Sequence, residues 1–383
     1  MKFFLPNRQQ LRLSTSCWFA ILLYVACTSR PEPATGFDYR RLELPPRPNI
    51  VWIVAEDLSP VIPVFGDSTV PTPHIDRLAR EGVVYTRFFS PSGVCAPSRA
   101  AIVTGMYPTR IGAHHMRTGP WFRFHTTDQT IQNYTRQAYE AMPPEGTHML
   151  STYLRAHGYY CSNNPKEDYQ FRCELTAWDD SSFEAHWKNR QPGQPFFAIF
   201  NLDHTHESMI WRKASEPLLI DSTADVPIPP YLPTTPLAQR DVRRLYSQVR
   251  LMDKRVGEIL NELETADLMD STIIFWYTDH GGPLPRQKRT IYDSGLHVPM
   301  IIRFPNQQFA GSTDSALHSF IDLKPTVLSL LGIQPPDYVD GKAWMGQYAS
   351  ADRHRYIFAA ADRFDHQTDR IRAVRDRRFK LVR

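Results

Sequence analysis

The sequence predicts an α/β fold, a doubly wound, mixed and mostly parallel sheet with helices on both faces. Short β-prone apolar runs alternate with helical periodicities along the chain, and these runs are apolar on both of their faces. Neither an internal repeat nor a second compositional regime occurs after residue 46. Strands buried on both faces require helices on each side of their sheet, and strand–helix alternation is typical of doubly wound domains.

Four apolar runs are the predicted core strands of this sheet. They cover residues 50–54, 195–200, 272–277 and 298–304. Each run is rich in β-branched and aromatic residues, is too short for a stable helix, and lacks the polar alternation of a strand with one solvated face. We therefore expect all four in the interior of the sheet.

Three helices have ends that can be read from the sequence. The first is capped by Thr72 and stops at Gly82, and the second runs from Thr147 to Gly158. The third covers residues 239–264, with apolar residues recurring at three- and four-residue spacing. Such spacing gives a helix one apolar face, which is then buried against the sheet.

Composition excludes several classes of protein. The 383 residues carry a formal net charge of +4, with 42% hydrophobic and 22% charged residues. This apolar content supports a real core and excludes wholesale disorder. The small net charge argues against a dedicated nucleic-acid binder, which concentrates basic residues on one face.

The first residues have the pattern of an export signal. A basic start is followed by an apolar stretch over residues 18–26 and then by Cys27. We expect residues 1–27 to be a signal peptide of lipoprotein type, with Cys27 lipidated, and 28–46 to be a linker. The protein is then exported to a bacterial periplasm or cell envelope and touches the membrane only through this lipid. An ordinary cleaved signal with an incidental cysteine is the alternative.

Two further cysteines, Cys161 and Cys173, lie outside the signal region and the motif described below. In an exported protein they could form a disulfide that closes a loop of about a dozen residues. The sequence does not decide whether their geometry permits this bond.

Polar clusters follow three of the four predicted strands. They are residues 56–57, 203–207 and 279–282, which are rich in carboxylates and histidines. The carboxyl ends of parallel strands meet at one edge of a sheet, so the clusters are expected to converge. Hard oxygen donors with an imidazole favour Ca²⁺ or, less strongly, Mg²⁺ over zinc. Helix caps and surface charges are the alternative interpretation.

The segment 91–105 combines a loop with the start of a helix near Pro97. Cys95 then lies at a helix N-terminus, where backbone N–H groups favour an anion, and Arg99 adds a fixed charge one turn later. From these residues alone, Cys95 is either a thiolate nucleophile or a buried small hydrophobic residue.

The run from Cys95 to Arg99, followed by Thr104 and Gly105, resembles the C-x-P-S-R…T-G signature of the type I sulfatases of the alkaline-phosphatase superfamily. The resemblance extends from Pro48 to the end of the chain. It implies that a maturation enzyme oxidises Cys95 to formylglycine, whose hydrated aldehyde is the nucleophile. It also implies that the C-terminal part of a 47–383 catalytic domain is incomplete, because family members continue further.

The resemblance assigns roles to further residues. Lys166 matches the lysine of a K-x-H pair in which Asp168 replaces the histidine, and the run 114–117 recurs in some bacterial members. Arg286 and Arg289 are expected to be surface charges. The implied catalytic residues are Cys95, Arg99, Lys166, His206 and Lys288, the substrate-binding residues His115 and Asp168, and the Ca²⁺ ligands Glu56, Asp57, Cys95, Asp279 and His280.

The expected activity is hydrolysis of sulfate esters or N-sulfates on a sulfated carbohydrate, such as a glycosaminoglycan or an algal polysaccharide. Two alternatives stay open. A phosphoesterase or phosphonate hydrolase of the same superfamily would share the metal motifs. A catalytically silent glycan-binding protein of the cell envelope would keep the fold without the chemistry.

Overall fold

A computed structural model describes residues 37–118, 139–364 and 368–383. Every described residue belongs to one compact unit, Gly36–Arg383. The predicted signal peptide, Cys27 and residues 28–36 of the predicted linker therefore lie outside the described residues. Within the described part of the chain, no helix combines the length and the apolar character needed to cross a membrane.

The main sheet has nine strands. They are β1 (Asn49–Ala55), β2 (Val83–Phe89), β3 (Tyr160–Asn164), β4 (Asp180–Ser181), β5 (Phe196–Leu202), β6 (Thr272–Thr278), β7 (His297–Arg303), β8 (Ser312–Asp314) and β9 (His318–Ser319). Their order is β4-β3-β5-β1-β6-β7-β2-β8, with β9 paired to β2. Among these described strands only β7 runs against its neighbours, so the prediction of a mixed, mostly parallel sheet is confirmed.

All four predicted core strands are present, as β1, β5, β6 and β7. Every residue of β1 and β6 is buried, as expected for strands covered on both faces. The reversed direction of β7 puts its carboxyl end at the opposite edge from β6. This explains why β7 is the one predicted core strand without a polar cluster after it.

Helices cover both faces of the sheet. They are α1 (Pro73–Glu81), α2 (Cys95–Thr104), α3 (Leu150–Ala156), α4 (Ser208–Arg212), α5 (Pro236–Thr265), α6 (Asp293–Leu296) and α7 (Leu323–Leu330). One apolar cluster joins a sheet face to α1 and α5, and another joins the opposite face to α2, α3 and α7. Trp52 on β1 packs into the second cluster, and Ile53, which follows it, packs into the first.

The predicted starts of two helices are wrong, and a distant side chain contributes to the cap of one of them. α3 begins at Leu150 instead of Thr147, and Glu174 accepts the N–H of Met149 at its cap over 3.0 Å. α5 begins earlier than predicted, at Pro236, because Thr235 Oγ1 accepts the N–H of Ala238 over 3.2 Å. The local sequence pattern predicts both helices but does not reveal the remote cap of α3.

A second, antiparallel sheet follows, with β10 (Ile357–Ala361), β11 (Ile371–Arg375) and β12 (Lys380–Val382). The arginine-rich end of the chain, residues 370–383, forms β11 and β12 of this sheet. Cys161 and Cys173 carry free thiols, so the possible disulfide between them is not formed.

Candidate active site

The polar clusters after β1, β5 and β6 meet the start of α2 at one point of the sheet edge. Three parallel strands end side by side there, since β1 pairs with both β5 and β6 in parallel register. Asp57 follows β1, His206 follows β5, and Asp279 and His280 follow β6, while Cys95 opens α2. The predicted convergence is thus what the structure shows.

Four buried side chains form a group of potential metal donors. One donor atom from each of Asp57, Cys95, Asp279 and His280 lies within 4.8 Å of all the others. His280 Nε2 lies 3.1 Å from Asp57 Oδ1 and 3.2 Å from Cys95 Sγ. Two carboxylates, an imidazole and a sulfur gathered at one buried point fit a divalent cation chemically.

Asp57 holds this group together through an unusual backbone conformation. Its φ is +52°, in the left-handed region that few non-glycine residues adopt. Its N–H donates to Asp279 Oδ1 over 3.2 Å, and its Oδ2 accepts the Glu207 N–H over 2.8 Å. Backbone strain of this kind clusters at functional sites, where the surrounding contacts maintain it.

The charges at this point balance one another. Burial alone would raise the pKa of Asp57, but Lys288 and His280 outweigh burial and hold that pKa well below its usual range. Burial likewise disfavours the His280 imidazolium, yet Asp279, Cys95 and Asp57 raise its pKa well above the ordinary value. The carboxylates therefore stay ionised, which a bound cation also requires.

Cys95 is the first residue of α2 and is only 2% exposed. Burial would raise the pKa of its thiol, but Lys288 and His280 outweigh this effect and hold the pKa well below its usual range. All ten residues of α2 are buried. The helix continues to Gly105, which ends it with a left-handed φ of +71°.

Arg99 ties α2 to the ends of two strands. Its Nε donates to Asp279 Oδ2 over 3.0 Å, and its Nη1 donates to Asn201 Oδ1 over 2.6 Å. Glu56 lies 3.6 Å from Arg99 Nη2 and accepts from Lys166 Nζ over 2.7 Å. Glu56 is thus outside the group of four donors, because these two cations hold its carboxylate. Its role as a direct ligand stays a prediction.

Lys288 and His206 stand together on the other side of Asp57. Lys288 Nζ donates to Asp57 Oδ2 over 2.7 Å and lies 3.1 Å from His206 Nε2. The other ring nitrogen of His206 lies 2.9 Å from Ser208 Oγ. Burial lowers the pKa of His206, but Cys95 and Asp57 outweigh it and raise that pKa. The pair can therefore hold a proton near Cys95.

A cleft of about 360 Å³ opens onto these groups. Five of the predicted site residues line it: Cys95, Lys166, Asp168, His206 and Lys288. His115 is not among the described residues that line this cleft, and its assignment to substrate binding stays a prediction. Its ring packs against Tyr139 with centroids 5.4 Å apart, and its Nδ1 accepts the Arg363 N–H over 3.3 Å. Burial lowers its pKa to about 4.

Two ion pairs in the cleft were missed or misjudged from the sequence. Arg289, expected at the surface, donates to both carboxylate oxygens of Glu207 over 2.7 Å each. Arg117 pairs with Asp168, and both line the cleft. The sequence draws attention to both positions, since Glu207 follows His206 directly and Arg117 ends the run 114–117. It does not indicate which residue forms an ion pair with either of them.

Comparison with protein families identifies two matches. A model described as "Sulfatase" matches residues 48–333. A second, described as "N-sulphoglucosamine sulphohydrolase, C-terminal", matches residues 286–383. Together they extend over the main sheet, the site and the second sheet.

Curated relatives carry related names. An ulvan-active sulfatase of Formosa agariphila is 48% identical over 403 aligned residues, covering 95% of this chain and 66% of that protein. An N-acetylgalactosamine-6-sulfatase of Canis lupus familiaris is 26% identical, covering 78% and 65%. The human N-sulphoglucosamine sulphohydrolase is 25% identical, covering 84% and 65%. The chain spans slightly less than two thirds of the length of these relatives.

Solved structures share the fold at low sequence identity. A structure described as a 2-O GAG sulfatase has a TM-score of 0.68 at 19% identity, covering 88% of this chain and 82% of the other. A phosphonate monoester hydrolase of Agrobacterium radiobacter has a TM-score of 0.63 at 15% identity, covering 88% and 87%. These similarities show the alkaline-phosphatase-like architecture alone. The model described as "Sulfatase" matches well over half of this chain, and the chain therefore belongs to the sulfatase family.

Proposed function

We propose that this chain hydrolyses sulfate esters on a carbohydrate, with a nucleophile made from Cys95 and a divalent cation beside it. One observation carries the proposal: Cys95 Sγ lies within 4.8 Å of donor atoms from Asp57, Asp279 and His280. Sulfatases generally use formylglycine and a divalent cation, and this is where both would be needed. Ca²⁺ is our proposed ion, with Mg²⁺ less favoured, because two of the four donors are carboxylates and the group derived from Cys95 would supply a further oxygen.

Asp57, Asp279, His280 and the group derived from Cys95 would hold the cation. When bound, it would supply positive charge that lowers the pKa of the attacking hydroxyl. The formylglycine would supply that hydroxyl as part of an aldehyde hydrate. The remaining chemistry falls to the chain's own side chains.

Those side chains bind the sulfate group and provide a proton. Lys166 and Lys288 line the cleft beside Cys95, where their charge offsets that of the sulfate oxygens. Arg99, held by Asp279 and Asn201, fixes the geometry at the start of α2. Since His206 and Lys288 share a contact of 3.1 Å, one of the two protonates the departing alcohol.

For the substrate we propose a sulfated polysaccharide, and the named activity of the Formosa relative makes ulvan the first to test. We also propose export to a bacterial cell envelope with a lipid on Cys27, as the sequence pattern indicates. Radiolabelled palmitate incorporated by the wild-type protein but not by a Cys27→Ala variant tests the anchor; equal labelling of both rejects it.

The decisive experiment compares p-nitrophenyl sulfate with p-nitrophenyl phosphate, using protein co-expressed with a formylglycine-generating enzyme. Faster turnover of the sulfate ester supports the proposal, whereas faster turnover of the phosphate ester favours the phosphoesterase alternative. Mass spectrometry of the Cys95 peptide accompanies the assay. If Cys95 is modified but the protein turns over neither ester and releases no desulfated product from ulvan, the silent glycan-binding alternative is favoured.

A further inference from the structure

The Arg117–Asp168 ion pair accounts for the departure of this chain from the family's K-x-H pattern. Resting on the proposed sulfate-ester hydrolysis, we infer that Arg117 contacts the sulfate group in place of the missing histidine, and that Asp168 is the residue that positions it. The motif's lysine, Lys166, is retained.

Asp168 contacts two cations of the cleft. Its side chain is 8% exposed and pairs with Arg117 Nη2 through one carboxylate oxygen. The other oxygen lies 3.5 Å from Lys166 Nζ. Its φ of +40° turns the backbone in the left-handed sense at this point. A histidine at this position is not an anion and could not form these two ion pairs. Asp168 and Arg117 therefore act together.

Arg117 faces the same cleft as the nucleophile. Its side chain is 28% exposed and lines the cleft together with Cys95, Lys166 and Lys288. A guanidinium carries five N–H donors in a planar fork, so pairing with one carboxylate leaves donors for a second anion. Sulfate oxygens suit such a fork, and unlike a histidine the arginine keeps its charge at every working pH.

The loop that carries Arg117 is tied to the second sheet. The Met116 N–H donates to Arg363 O over 2.8 Å, and Arg363 Nη2 donates to Met116 O over 2.6 Å. These bonds fix the backbone next to Arg117, while Asp168 fixes its side chain. A cation held at both ends of its chain loses little conformational entropy when it binds an anion.

Steady-state kinetics on p-nitrophenyl sulfate test the inference. We expect Arg117→Ala to lower kcat/KM by about 100-fold, as for other donors to transition-state charge. Arg117→Lys keeps the charge without the fork and should lose about 10-fold. The double variant Arg117→Ala, Asp168→His restores the family's pattern and should recover at least about 10-fold over Arg117→Ala. The exposed Arg286→Ala is the matched control and should be unchanged.

The positioning role of Asp168 has its own readout. If it acts through Arg117, the effects of Asp168→Ala and Arg117→Ala will be strongly non-additive in a double-mutant cycle. Additive losses would indicate a separate structural role and overturn that part of the inference. Circular dichroism melts confirm that each variant folds, and Arg117→Lys serves if the alanine variant does not.

Inorganic sulfate separates failure of this inference from failure of the proposed function. If the wild-type protein turns over the sulfate ester but Arg117→Ala stays within about threefold of it, the inference is wrong and the function stands. If the wild-type protein has no turnover, the function fails. Calorimetric titration of inorganic sulfate into the wild-type protein and into Arg117→Ala then still tests the role of Arg117. Equal affinities of the two proteins for sulfate would reject that role.

Discussion

At the residue scale, Cys95 and its neighbours concentrate opposite charges in a buried space. Lys288 and His280 lower the pKa of the thiol, and the same two groups keep Asp57 ionised. Each of these charged side chains depends on an oppositely charged neighbour to stay ionised in the buried space. A change at one position therefore alters chemistry and charge balance together.

Replacing Cys95 by alanine separates chemistry from fold. We expect turnover of p-nitrophenyl sulfate to fall by about four orders of magnitude or more, as for other lost nucleophiles. The loss of one small side chain should leave the melting temperature within a few degrees of the wild-type value. Cys173→Ser, at a half-buried cysteine outside the cleft lining, is the control. Substantial turnover by Cys95→Ala would remove the nucleophile assignment.

Lys324 on α7 is a buried lysine outside the cleft lining. Its Nζ donates to His148 O over 2.7 Å and to Tyr338 Oη over 2.8 Å, and the Tyr153 ring centroid lies 4.8 Å away. Burial lowers its pKa to about 7, although Glu174 acts in the opposite direction. An unfolded chain restores the ordinary value of 10.5.

This shift predicts a pH dependence of stability. Between about pH 7 and the unfolded pKa, the unfolded chain binds a proton that the folded chain has released, so the free energy of unfolding rises with pH. Lys324→Met should remove this rise, measured by urea unfolding at about pH 7 and about pH 9. The exposed Lys342→Met should keep it. An unchanged slope in Lys324→Met would show that Lys324 stays protonated when folded.

At the element scale, α1 depends on a cap supplied by another helix. Asp253 on α5 accepts the N–H of Ile75 over 2.9 Å and that of His74 over 3.4 Å. Thr72, the local candidate, instead donates its hydroxyl to Asp76 over 3.1 Å. The first turn of α1 is thereby fixed to α5.

Asp253→Ala should therefore lower the free energy of unfolding by about 1–2 kcal/mol, the usual cost of a lost cap. Urea unfolding provides the measurement. Glu258→Ala, which breaks the surface pair with Arg255 on the same helix, should cost less than about 0.5 kcal/mol. Equal costs for the two variants would contradict the capping role.

The elements also show how far the sequence reaches. Apolar runs predicted β1, β5, β6 and β7, because burial on both faces leaves a clear pattern. The same pattern carries no information on direction, so the reversal of β7 could not be foreseen. The caps of α1 and α3 could not be predicted from the sequence for a similar reason, since Asp253 and Glu174 lie far from these helices along the chain.

The site was predictable where a sequence motif, or a polar cluster directly after a strand, marks a residue. Cys95, Asp57, Asp279 and His280 met these conditions, and the structure brings them together. His115 and Arg117 belong to one run, and only contacts with distant residues decide which of the two faces the cleft. Pairs such as Glu207 with Arg289 depend on the tertiary fold in the same way.

At the scale of the whole molecule, the donor group joins the ends of β1 and β6 to α2, so an ion there would stabilise the folded chain. We expect added Ca²⁺ to raise the free energy of unfolding, by about 2.7 kcal/mol at 100 times its dissociation constant. EDTA should reverse the effect, and Mg²⁺ should act more weakly. Differential scanning fluorimetry measures the shift.

Asp279→Asn provides the control for this prediction, because it removes a charged donor with little change of shape. Its melting temperature should respond far less to Ca²⁺ than that of the wild-type protein. An equal response would place the ion elsewhere. No response from the wild-type protein would show that the thiol form binds no Ca²⁺, and the formylglycine form would then be compared directly.

The complete burial of α2 bears on the order of events during biosynthesis. If Cys95 is converted as proposed, a maturation enzyme must reach the peptide around it, yet all ten residues of that helix are enclosed once the sheet has assembled. On the proposed function, oxidation therefore has to precede folding, while the segment is still extended. A chain that folds too early would be trapped as a thiol, so its yield of active protein would depend on how slowly it folds.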